Sequence, residues 1–119
     1  MLLNLSNHPS AYWSDKQSQE AKRLFGEIKD MPFPKVDPAA DEEEIDRMAN
    51  DYLNKILPLN PKAVHLMGEL TFTLALVKLL QEQGITVLAS TTHRSTQDMP
   101  DGSKVARFEF VRFRKYAIP

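Results

Sequence analysis

Three short polar stretches carry the residue types that can grip a charged ligand and move a proton. Ser6-Asn7-His8-Pro9-Ser10 offers two hydroxyls, an amide and an imidazole. Gly68-Glu69-Leu70-Thr71 offers a glycine that lets backbone approach a ligand closely, a carboxylate, and a hydroxyl suited to a helix start. Ser90-Thr91-Thr92-His93-Arg94 adds three hydroxyls, a second imidazole and a guanidinium. Hydroxyls and free N–H groups at a helix start hold anions, a guanidinium pairs with phosphate, and an imidazole trades protons near neutral pH. Each stretch also has a plainer reading. Gly68 and Thr71 suffice to turn the chain and cap a helix, and His93 and Arg94 fit an exposed hairpin. Glu69 opposes an anion if it faces one, and otherwise points to solvent, acts as a base or positions a hydroxyl. His65, inside an apolar run, fits a packed or hydrogen-bonded side chain.

The elements that must position these residues are readable around the middle stretch. Ala63 to Met67 is an apolar run, the turn follows, and Phe72 to Leu80 forms a strongly apolar helix that Gly84 ends. A second apolar run, Ile85 to Ala89, begins at once, so the whole reads as a βαβ unit with parallel strands. The helix leaves only Thr73, Lys78 and Gln81 as a polar strip, which predicts burial on more than one side, in the middle of a sheet face or against a second subunit.

Upstream, Leu2 to Leu5 predicts an interior strand, and Ser14 or Asp15 caps a helix ending at Phe25 and Gly26. Trp13 sits where a staple over that helix start belongs; a base-stacking platform is the alternative. Glu27 to Pro32 predicts a short strand that the prolines confine to an edge. Asp41 opens an acidic helix with Ile45, Met48, Ala49, Tyr52, Leu53, Ile56 and Leu57 at helical period; its acidic start reads as a solvated face. Asp101-Gly102 marks a hairpin joining Ile85–Gln97 to Lys104–Tyr116. Arg107, Arg112, Arg114 and Lys115 make that end basic.

The order β-α-β-α-β-α-β-β predicts a single α/β domain over 1–119: a small Rossmann-like three-layer sandwich. Its mainly parallel sheet has the order 2-1-3-4, with an antiparallel C-terminal edge hairpin. Winding then reverses between strands 1 and 3, and all three polar stretches converge on one crevice at the carboxyl ends of the strands.

Bulk properties exclude some classes of function. The chain of 119 residues holds one core, and 42% hydrophobic with 26% charged residues is ordinary for a globular protein. The net charge of −1 argues against a general nucleic-acid coat. Without cysteine there is no disulfide, thiolate metal site or thiol nucleophile. No stretch is long enough to span a membrane, and the start lacks a signal-peptide pattern, so the expected compartment is the cytoplasm. No Gly-x-Ser-x-Gly, Walker or GxGxxG motif occurs, and three scattered histidines make no metal motif.

The strand, Gly-x-x-Thr turn and apolar helix at Val64 to Leu80 resemble the equivalent unit of CRISPR-associated Rossmann-like (CARF) domains. There the turn is usually Gly-Gly-Thr followed by Lys or a small residue; Glu69 and Leu70 depart from it, and no Lys follows Thr71. Asn4-Leu5-Ser6-Asn7-His8-Pro9 at the first strand end is similar to the small stand-alone accessory proteins of type III CRISPR systems. Members of that group are ring nucleases that degrade the cyclic oligoadenylate messenger. The resemblance implies a homodimer whose loops face a shared ligand, cyclic tetra-adenylate in first place, with no cofactor or metal. The ribose 2′-hydroxyl attacks the adjacent phosphorus and leaves a 2′,3′-cyclic phosphate. Under it Ser6, Asn7, Ser10, Gly68, Glu69, Thr71, Thr91 and Thr92 bind the ring, Arg94 stabilises the transition state, and His8 or His93 assists proton transfer. A sensor that binds without cutting, or an interaction subunit with a vestigial crevice, fits the same features.

Overall fold

In the computed structural model, which describes residues 1–117, five strands form one sheet in the order β2-β1-β3-β4-β5. β1 (Leu2–Ser6), β2 (Ile28–Asp30), β3 (Ala63–Met67) and β4 (Thr86–Asp98) run parallel, and β5 (Lys104–Lys115) returns antiparallel along β4. The predicted α/β architecture, strand order and terminal hairpin are all present. β2 has three residues at the sheet edge, as its flanking prolines require.

Helix α1 (Asp15–Phe25) covers one face of the sheet. Ser14 caps it by accepting from the Gln17 N–H, and Gly26, at φ +87°, ends it. Trp13, Ala21, Leu2, Ala63, Leu88, Phe110 and Phe113 form the core on that side. Helices α2 (Glu42–Ile56) and α3 (Leu70–Glu82) cover the other face, packed on Leu3, Leu5, Val64, Leu66 and Val87. α2 is capped by Asp41 and buries Ile45, Ala49, Leu53 and Ile56, the stripe its periodicity predicts.

The polar strip expected on α3 is only partly correct. Thr73 is buried and Gln81 reaches from α3 to the Tyr116 carbonyl at 3.0 Å. Lys78 is exposed as expected, but it shares the outward face with Leu70 and Leu74, 81% and 62% exposed. The helix is therefore rotated from the simplest reading, and the start of α3 shows apolar surface to solvent.

The hairpin is long, and a register shift between Thr91 and Thr92 interrupts its ladder. Ser90 faces Phe113 while Thr92 faces Phe110, so β5 inserts one residue more than β4. Tyr116 locks the base of the hairpin: its hydroxyl donates to the Leu66 carbonyl at 2.6 Å, and its N–H donates to Val87.

Candidate functional site

The winding reverses between β1 and β3. A crevice of about 590 Å³ opens there, at the strands' carboxyl ends, between the Ser10–Tyr12 turn with α1 on one side and the root of the hairpin on the other. Tyr12, Trp13, Phe108 and Phe110 form aromatic walls, and Ser6, His65 and Ser90 form a polar floor, with the exposed Asn7 and His8 at its lip. Met67, Gly68 and Thr92 complete the lining, together with Ser14 and Gln17. Among the described residues no lysine or arginine lines it.

Beneath the floor runs a row of hydrogen-bonded side chains that crosses four strands. Asp30 and Asn4 are register partners, as are Asn4 and His65, so the parallel ladder sets all three abreast. Asn4 Nδ2 donates to Asp30 Oδ1 at 2.8 Å and to the His8 carbonyl at 3.0 Å. Both of those partners only accept, so the amide orientation is forced. Asn4 Oδ1 therefore faces Ser6 Oγ and His65 Nδ1, each at 2.8 Å. Since Oδ1 cannot donate, Nδ1 carries the imidazole proton. His65 Nε2 is then an acceptor, 3.1 Å from Ser90 Oγ. Asp30, Asn4, His65 and Ser90 form one directed chain.

Electrostatics keep that chain in a single state. Burial pushes His65 down to about 4, with a smaller push from His8, so the ring is neutral near pH 7. Burial pushes Asp30 up, but hydrogen bonds from Asn4, the Ser10 hydroxyl and the Ser10 N–H outweigh it and hold the carboxyl below its ordinary value. The ionised Asp30 anchors the row, and the neutral His65 carries it to the crevice. Trp13 adds support: its Nε1–H donates to the His8 carbonyl at 2.9 Å, and its ring meets His65 edge-on at 5.2 Å.

The start of α3 does not present the open anion cradle that the sequence predicts. Glu69, not Thr71, is the cap: its carboxylate accepts from the Thr71 N–H, the Phe72 N–H and the Thr71 hydroxyl at 2.6–2.9 Å. Those bonds hold the carboxyl below its ordinary value, the Thr71 hydroxyl foremost. An anion of the chain's own thus occupies the place a phosphate would take. Gly68 does permit a close approach, by Phe33: a Cβ there would sit 2.2 Å from the ring tip. Phe33 in turn packs edge-on against Phe72 at 5.4 Å.

Of the residues singled out in the sequence, Ser6, Asn7, His8, Gly68 and Thr92 meet in the crevice. Ser10 lies beside it, held to Asp30 Oδ2 by its hydroxyl at 2.7 Å. Thr71 lines a separate hollow at the start of α2. Strand alternation turns Thr91 and His93 away from Ser90 and Thr92. Thr91 Oγ1 bridges the register shift by bonding the Arg112 backbone, and His93 pairs with Glu109 across the ladder. Arg94 lies against the Phe108 ring at 5.7 Å, one aromatic side chain from the crevice. The convergence of three loops holds for the strand ends; it does not extend to Thr71, His93 or Arg94.

The family model of the uncharacterized protein MJ1673 family matches residues 1–114. The chain belongs to that family. No curated protein and no solved structure matches. The family match takes in all four members of the polar row and every wall of the crevice.

Ser90 lies in one of the three polar stretches but has no separate role there, Asn4 enters only through the strand-end motif, Asp30 carries no sequence signal, and His65 reads only as a packed or hydrogen-bonded residue. One signal marks Asn4 and His65. Asn4 is the third residue of the first strand and His65 the third of the other central strand, each the lone strongly polar residue before the strand's end. Adjacent parallel strands align such positions, and buried polar groups need partners.

Proposed function

We propose that the crevice binds the base of an adenine-bearing nucleotide, and that the physiological ligand is a cyclic oligoadenylate shared between two copies of the chain. The single observation that carries this reading is the crevice itself: aromatic walls for stacking above a floor of fixed polar groups, at the switch point of a parallel sheet. The volume lies in the range of small-molecule sites. The walls bear no lysine or arginine among the described residues, so the base rather than the phosphate is the group received here. The resemblance to CARF domains supplies the ring form of the ligand. Leu70 and Leu74, exposed at the same end of the sheet as the crevice, offer a second copy apolar surface. The compartment for this role is the cytoplasm.

Cleavage of the bound ring is the second reading, and His8 at the crevice lip favours it. The nucleophile would be the ligand's own 2′-hydroxyl: its oxygen bonds to phosphorus as the P–O5′ bond breaks. The protein needs to hold ribose and phosphate in line, accept the 2′ proton, and let the departing 5′-oxygen take up a proton from His8 or water. Arg94 and His93 have no part in this version, because they lie outside the crevice. Incubation with labelled cyclic tetra-adenylate tests both. Thermal stabilisation by the ring with the ring recovered intact supports a sensor, and linear products ending in 2′,3′-cyclic phosphate support a ring nuclease. The absence of both stabilisation and products at stoichiometric protein would overturn the proposal.

A further inference from the structure

The directed row of side chains under the crevice fixes which way the Ser90 hydroxyl points its proton. Ionised Asp30 takes one Asn4 N–H, so Asn4 turns its oxygen to His65 and Nδ1 keeps the ring proton. Nε2 is left as a buried lone pair whose partner is Ser90 Oγ at 3.1 Å. Ser90 Oγ also lies 3.3 Å from Met67 Sδ, but a thioether is a weak acceptor beside an imidazole nitrogen. The hydroxyl proton therefore goes to His65, and the Ser90 oxygen is left to accept.

We infer that Ser90 is a specificity-determining residue that accepts a hydrogen bond from an amino group of the ligand and rejects a carbonyl at the same place. This rests on the nucleotide-binding reading above and refines it: Ser90 is the group by which the crevice tells adenine from its oxo counterpart. A carbonyl facing Ser90 meets two lone pairs. To relieve that, the hydroxyl must swing away from His65 and leave Nε2 unpaired in a buried place. The polarity originates at Asp30, three side chains away, so the selectivity is built into the sheet and not into a mobile loop.

The experiment compares cyclic tetra-adenylate with cyclic tetra-inosinate, whose bases carry a carbonyl where adenine carries an amine, by titration calorimetry. Wild-type protein should bind the amino ring more tightly by about tenfold or more. Ser90→Ala should reduce that ratio to about twofold or less while still binding both, and Ser90→Thr, which keeps the hydroxyl and suits a strand, should restore it. Equal binding of both rings by wild type, or an unchanged ratio in Ser90→Ala, overturns the assignment of Ser90 and leaves nucleotide binding standing. Binding of neither ring removes the nucleotide reading and this inference with it. A ligand-free readout checks the polarity alone: nitrogen NMR of His65 should show Nδ1 protonated and Nε2 bare, and the opposite tautomer overturns the inference.

Discussion

Asn4 and His65 stand abreast on adjacent central strands, and the Asn4 side-chain oxygen accepts the imidazole Nδ1 proton at 2.8 Å. All four hydrogen-bonding capacities of the Asn4 amide are used, by Asp30, the His8 carbonyl, Ser6 and His65. Replacing it with leucine, which has the same branching but more bulk, removes every one of these bonds and leaves the His65 N–H buried without a partner. The expected cost is roughly 2–4 kcal/mol of unfolding free energy. Urea denaturation of Asn4→Leu measures it, and a loss no larger than that of an ordinary surface substitution would mean the row contributes nothing to the fold.

Acid should weaken the fold earlier than carboxylate titration alone would. The folded protein holds His65 down to about 4 against an ordinary 6.5, so the unfolded chain takes up that proton first as pH falls. The fold therefore has its full stability above about pH 6.5, loses it progressively toward about pH 4, and gains no further penalty from this group below that. The shift corresponds to roughly 3 kcal/mol in all. Asp30 and Glu69, both held below their ordinary values, add losses of the same sign at still lower pH. Denaturation curves between neutral pH and about pH 4.5 report the slope; a flat profile down to pH 5 would contradict a buried, neutral His65.

Much of the architecture was legible because the chain punctuates itself locally. Ser14, Asp41, Gly26, Gly84 and Asp101-Gly102 act within a few residues of where they stand, and the α2 stripe repeats at helical period. The crevice was legible one step further on, since strand order follows from the handedness of crossovers. The polar row was not, because Asp30, Asn4, His65 and Ser90 are brought together by register between strands far apart in the chain. The errors have local causes of a different kind. Thr71 looked like the cap because threonine is a common one, but the longer Glu69 side chain reaches back over the same N–H groups. His93 and Arg94 stand close to Ser90 in sequence, but the strand turns His93 to the opposite face, and Arg94, on the same face as Ser90, is carried along the hairpin to lie against Phe108 outside the crevice.

Gly68 should tolerate no side chain without a rearrangement next to the crevice. The Phe33 ring occupies the space of its missing Cβ, and Phe33 is held in turn by Phe72, which is fully buried. Gly68→Ala must displace that ring, with an expected cost of about 1–3 kcal/mol for overpacking. The double variant Gly68→Ala with Phe33→Leu, which removes the ring tip, should recover part of the loss. Thermal melting of the two variants decides; equal stability of Gly68→Ala and wild type would mean the ring is free to move.

Glu69 decides whether the start of α3 can ever hold a phosphate. In the wild-type chain its carboxylate already takes the Thr71 and Phe72 N–H groups and the Thr71 hydroxyl, so an external anion finds those donors occupied and a like charge in front of it. Glu69→Ala should lose about 1 kcal/mol as the cap is removed. The same substitution frees three convergent donors at the positive end of a helix dipole, so added sulfate should raise the melting temperature of the variant by more than it raises that of wild type, which shows only sulfate's general stabilising effect. An equal rise in both would be that general effect alone and would show that the uncapped start of α3 binds no anion.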